Sequence, residues 1–191
     1  MLWIQTATDL DTAARLVPRR RYGIICIEAG KFQSLVFRPW PKVISRLEIT
    51  TLGRWGHVGR EGDRCRLFYN FPLSSPGFLS LAYIESSRQT QWETVRKSLE
   101  LLDWVAEHRR ARASVCELYN ARISNRLMGR LGWEPHCQHL HGRHFIKRFY
   151  GEFPCHAWLP EVGPGPRAQD LERPVNGESP VLSTTLSDCP Q

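Results

Sequence analysis

Much of what this sequence says comes from what it lacks. No stretch approaches the ~18 consecutive apolar residues of a membrane-spanning helix, so no membrane anchor is expected. The first residues, MLWIQTATDLD, have no basic region leading into an apolar core and cleavage site, which argues against an export leader. Six cysteines, at 26, 65, 116, 137, 155 and 189, include no CxxC pair. In a chain expected to stay in the cytoplasm they read as reduced thiols and not as a disulfide framework. No internal repeat is visible.

What is present is ordinary for a globular protein. A hydrophobic share of 41% and a charged share of 24% in 191 residues suit one domain with a full core and some excess chain. That excess lies at the end. Pro160 to Gln191 is rich in Pro, Gly, Ser, Thr and acids and has no apolar periodicity. Such a segment cannot bury enough surface to offset its ordering entropy. The expected organisation is a folded domain over 1–158 and a disordered tail over 159–191. The tail carries Arg167 and Arg173 against five carboxylates, so the body is more basic than the overall charge of +7 suggests. A basic body attracts anions in general. None of the basic-aromatic signatures of RNA or DNA modules appears, so nucleic acid is not the expected partner.

Along the chain, Leu2 to Thr6 reads as a first strand, with Thr8 or Asp9 capping a short helix through Leu16. Tyr22 to Glu28 is nearly continuous in apolar residues, as in a strand buried on both faces. Phe32 to Phe37 pairs with it across a turn at Ala29-Gly30-Lys31. Ile44 to Leu52, Arg64 to Phe71 and Phe78 to Ile84 are further strands, with a loop over Gly53 to Asp63. Thr90 and Glu93 fit a capping box. Behind them Trp92, Val95, Leu99, Leu102 and Ala106 form an apolar stripe on a helix running to about His108. Ala113 to Tyr119 reads as a strand. Asn120 is a good N-cap for a second helix with Ile123, Leu127 and Leu131 on its buried face, and Gly132 ends it. His144 to Tyr150 is a closing strand with two distinct faces.

Strands followed by strand, helix, strand, helix and strand make a mixed α/β layer. That order, with the stretch Asn120 to Tyr150, resembles the GNAT superfamily of acyl-CoA-dependent N-acyltransferases. The resemblance covers about 70 residues, Phe78 to Tyr150. It implies an α+β fold with a mostly antiparallel central sheet flanked by helices. In that family a strand leads into a glycine-containing loop, and the next helix offers its free N–H groups to the pyrophosphate of coenzyme A. By resemblance, Ser86, Ser87, Arg88, Gln89 and Thr90 would meet the cofactor, acetyl-CoA or another acyl-CoA, and Asn120 would lie near its pantetheine arm. Arg88 fits the first position of the family's loop motif. Gln91 and Glu93 stand where small residues are usual, and Glu93 would compete with a phosphate for the same donors. In the later helix, Ser124 stands at a small-residue position. Met128 replaces the tyrosine that commonly protonates the departing thiolate, and methionine has no proton to give.

Acyl transfer also needs a base to free the lone pair of an amine. Glu85, at the end of its strand, is the first candidate and Glu117 the second. The implied acceptor is an amine on a small molecule or a protein. The alternative that the resemblance allows is a GNAT-like domain without catalysis, kept for binding or interaction.

His136, Cys137, His139, His141 and His144 lie close together, with Cys155 and His156 further on. These are zinc-ligand types, but their spacing matches no zinc-finger pattern. On an extended chain Cys137, His139 and His141 point one way and His136 the other. A hairpin with exposed histidines is the expected form, and no metal site is assigned.

Overall fold

The structure, a computed structural model, describes residues 4–42, 62–118, 123–140 and 142–160. The expected strand at 44–52, most of the loop at 53–63, Asn120, His141 and the tail beyond Pro160 lie outside the described residues.

Strand β1 (Gln5–Ala7) leads into helix α1 (Leu10–Leu16). Asp9 caps that helix by accepting the Thr12 N–H at 2.7 Å, and this hydrogen bond holds its carboxyl below the ordinary value. A 3-10 turn, Val17–Arg19, follows at Pro18. Strands β2 (Tyr22–Glu28) and β3 (Lys31–Arg38) form a hairpin. Their turn is closed by Ala29 and Gly30, both left-handed at φ 47° and 68°, the geometry that suits twisted strands. Then come β4 (Arg64–Asn70), β5 (Phe78–Ser86) and the long helix α2 (Trp92–His108). The chain continues through β6 (Ala113–Glu117), the short helix α3 (Asn125–Arg130), β7 (Glu134–His136) and β8 (His144–Arg148).

The strands make an eight-stranded sheet in the order β1-β3-β2-β4-β5-β6-β8-β7. Every pairing is antiparallel except β5 with β6. The fold class implied by the sequence, a mixed and mostly antiparallel central sheet flanked by helices, is the one adopted. Strand β7 was not expected, and it extends the hairpin that carries the histidines. No helix among the described residues is long and apolar enough to cross a membrane.

Alternation places Ile25, Ile27, Leu35, Phe37, Leu67, Tyr69 and Leu79 on one face, each at most 1% exposed. Helix α2 packs across β2 and β4 on that face and adds Leu101, Leu102 and Val105. Burying each such side chain contributes about 1.5–3 kcal/mol before entropy is counted. Strand β2 is not buried equally on both faces, because its residues alternate between buried and half-buried. Its continuous apolar run reflects a central position, between β3 and β4.

Three helix details correct the sequence reading. The buried face of α2 runs through Thr94, Ser98, Leu101 and Val105 and includes the expected Leu102 and Ala106, while Val95 and Leu99 are half-buried and Trp92 is 49% exposed. Small polar residues let the helix approach the sheet, and Ser98 satisfies itself by donating to the Thr94 carbonyl at 2.8 Å. There is no capping box, since Gln91 is the N-cap and offers no side-chain bond. Thr90 Oγ1 donates instead to the Arg64 carbonyl at 2.7 Å, and Glu93 pairs with Lys97 at 3.1 Å. The later helix starts at Asn125, capped by Ser124, whose Oγ accepts the Leu127 N–H at 3.2 Å. At six residues it has one buried side chain, Met128, and the expected row Ile123, Leu127, Leu131 is only half-buried. Gly132 ends it at φ 81°, with the Trp133 N–H closing back on the Met128 carbonyl at 3.0 Å.

Gly23 lies opposite Tyr69 in the β2–β4 pair. A Cβ at this position would stand 2.5 Å from Tyr69 Oη, and Tyr69 is 1% exposed with no room to move away. Gly23→Ala is expected to lower stability by about 1–3 kcal/mol through overpacking, read as a lower urea midpoint at unchanged slope.

Candidate functional site

The loop between β5 and α2 was the expected cofactor loop, and its polar groups are already engaged. The Ser87 N–H donates to the Arg64 carbonyl (3.1 Å), and its hydroxyl donates to the Gly62 carbonyl and lies 2.8 Å from Thr90 Oγ1. Gln89 Oε1 accepts the Gly62 N–H at 3.0 Å. Arg88 is exposed, and Ser86 completes β5 opposite Cys65. Residues 86–90 therefore form a clasp with 62–64, with Arg88 and Gln89 exposed on its outer side.

The start of α2 is occupied as well. Asp63 Oδ1 accepts the Gln91 N–H at 2.9 Å, and Oδ2 accepts the Thr94 hydroxyl at 2.7 Å. Thr94 Oγ1 accepts the Gly30 N–H at 2.9 Å, and the Asp63 carbonyl accepts the Ala29 N–H at 2.7 Å. Lys97 Nζ closes the junction by donating to the Gly30 carbonyl at 2.9 Å. A carboxylate thus sits at the positive end of the helix, where an anionic ligand would otherwise be favoured. Glu93 adds a second carboxylate in the same first turn. Sequence reasoning missed Asp63, because the contact spans 28 residues to Gln91 and 31 to Thr94 and no local pattern marks it.

A second feature lies where β5 and β6 part. Their parallel pairing runs from Phe78 with Ala113 to Leu81 with Cys116. On the other edge of β5 the partner of Phe68 is Tyr83 and that of Tyr69 is Leu81, so Ala82 is a bulge residue. Glu117 is one step past Cys116, at the level of that bulge. Glu85 lies further along β5, opposite Arg66, and is not brought together with Glu117. Glu117 faces His144 across β6 and β8. A Cβ on Gly142 would stand 2.7 Å from Glu117 Oε1 and 3.2 Å from His144 Nε2, so both tips converge over that glycine. The sequence named each residue separately, and only the β6–β8 register joins them. No protein-family model matches the chain, and no curated protein is significantly similar to it.

The neighbouring thiol is poorly disposed to ionise. Burial pushes the Cys116 thiol up to about 12 and the Cys65 thiol up to about 11, and a protonated thiol is a poor nucleophile. His136 pairs with His144 across β7 and β8, but the chain turns at Cys137, with φ 51° and the Leu140 N–H donating to its carbonyl at 2.9 Å. The expected hairpin is thus present, with β7 and β8 joined through a turn at Cys137, His139 exposed, and His136 and His144 half-buried. Among the described residues no group of three or more His, Cys, Asp or Glu side chains is placed to hold a metal ion.

Two outcomes follow. Asp63→Ala is expected to cost about 1–2 kcal/mol, the worth of a lost N-cap, measured by denaturant unfolding. At pH 8 an alkylating reagent should label the exposed Cys155 first and leave Cys65 and Cys116 unlabelled until denaturant is added, as read by mass spectrometry.

Proposed function

We propose that this chain is a GNAT-like domain that no longer takes acyl-CoA at the start of α2 and serves as a binding module. The observation that carries this reading is the Asp63 carboxylate on Gln91 and Thr94. A pyrophosphate at that place would meet fixed negative charge and would have to displace two short hydrogen bonds. Met128 supports the same reading. It stands where the family's acid is expected, is 6% exposed, and fills the core.

A second reading, acyl transfer from acetyl-CoA or another acyl-CoA to a small-molecule or protein amine, is favoured by one feature. The bulge at Ala82 and the parting of β5 from β6 leave backbone groups at the level of Glu117. Such groups could polarise a thioester carbonyl while the carboxylate accepts a proton. In this reading Glu117 replaces Glu85 as the base.

Calorimetric titration of the full chain with CoA and acetyl-CoA separates the two. The binding-module reading expects no heat of binding at millimolar ligand. Micromolar binding that weakens on Arg88→Ala would overturn it in favour of the transferase.

A further inference from the structure

Neither reading uses the cleft between α2, α3 and the chain that returns after β8. It has a volume of about 270 Å³, somewhat below the ~300–1,000 Å³ of pockets that take drug-sized ligands. That size suits a molecule with one ring or a short branched chain.

The returning segment forms a built wall. Trp158 Nε1 donates to Glu100 Oε2 at 2.6 Å, and Trp104 Nε1 donates to the Pro160 carbonyl at 3.0 Å. The Phe153 ring stacks on Phe149 with centroids 4.7 Å apart. His156, from the same segment, sits 3.9 Å from Glu100 and 3.7 Å from Asp103 and backs the cleft.

The charges in the cleft do not cancel. Lys147 pairs with Asp103 at 2.7 Å, both side chains being largely buried, and Arg96 pairs with Glu100. Arg130, in the last turn of α3, has no ion pair among the described residues and is exposed at the edge of the cleft. The lining therefore keeps one positive charge beyond its two pairs. Beside it lie apolar surfaces from Leu99, Leu131 and Trp133, the last only 3% exposed. A guanidinium with no ion pair among the described residues, next to an apolar wall, is complementary to a ligand with one anionic end and an apolar body.

We propose that this cleft binds a small amphipathic monoanion, an aromatic or branched aliphatic carboxylate. Its carboxylate meets Arg130 and its body lies along Leu99, Leu131 and Trp133. The proposal goes beyond the binding-module reading and stands on the cleft's own residues.

The test is calorimetry of the full chain with phenylacetate, 2-phenylethanol and 2-phenylethylamine, which share a ring and differ in charge. Phenylacetate should bind at least tenfold tighter than the other two. Arg130→Ala should abolish that preference without changing the unfolding midpoint, since the side chain is exposed, and Arg130→Lys should keep part of it. No binding, equal binding of all three, or an unchanged preference in Arg130→Ala would each overturn the proposal. The CoA titration reports separately on the binding-module reading. CoA binding alongside an Arg130-dependent phenylacetate preference overturns the inactive-module reading and leaves the cleft site standing. Absence of both overturns the cleft site alone.

Discussion

The structure is organised around one carboxylate. Asp63 stands where the β2–β3 turn, the start of β4 and the first turn of α2 meet, and each of the three is bonded to it or through Thr94. A helix leaves its first N–H groups without partners, and ligand, water or side chain must satisfy them. Here Asp63 satisfies one of them, the Gln91 N–H. The same contacts anchor the longest helix to the sheet and put a carboxylate at its positive end.

The opening between β5 and β6 is a different sort of feature, made by backbone and not by charge. Parallel strands joined through a helix diverge when one of them carries an extra residue, and Ala82 is that residue. The β6–β8 register places Glu117 and His144 together beside it, whereas the expected base, Glu85, lies on the far stretch of β5.

The strands were legible because alternation is local. Tyr22–Glu28 is β2 as read, and Arg64, Phe78 and His144 begin strands as expected. Gly132 was legible for a similar reason, since a left-handed position after a helix leaves few alternatives. Helix α2 was found, with Leu102 and Ala106 buried as expected, but the first half of its face was set off, because Thr94 and Ser98 are buried for their smallness and their hydrogen bonds and not for hydrophobicity. The capping box failed because Thr90 had a stronger offer from the Arg64 carbonyl, a partner 26 residues away. What the sequence withheld was register. Asp63 with Thr94, and Glu117 with His144, become neighbours only once strands are paired.

The remote cap on α2 also has a consequence for synthesis. Most N-caps form with the helix they close, whereas this one joins Gln91 to a residue 28 positions earlier. The ribosome releases Gly30 and Asp63 before Thr94, so when α2 emerges its anchoring partners are already outside the tunnel. The helix can dock on a hairpin and strand that precede it, without waiting for later chain. Vectorial emergence therefore suits this junction better than refolding of the whole chain from denaturant, where all three segments must find one another at once.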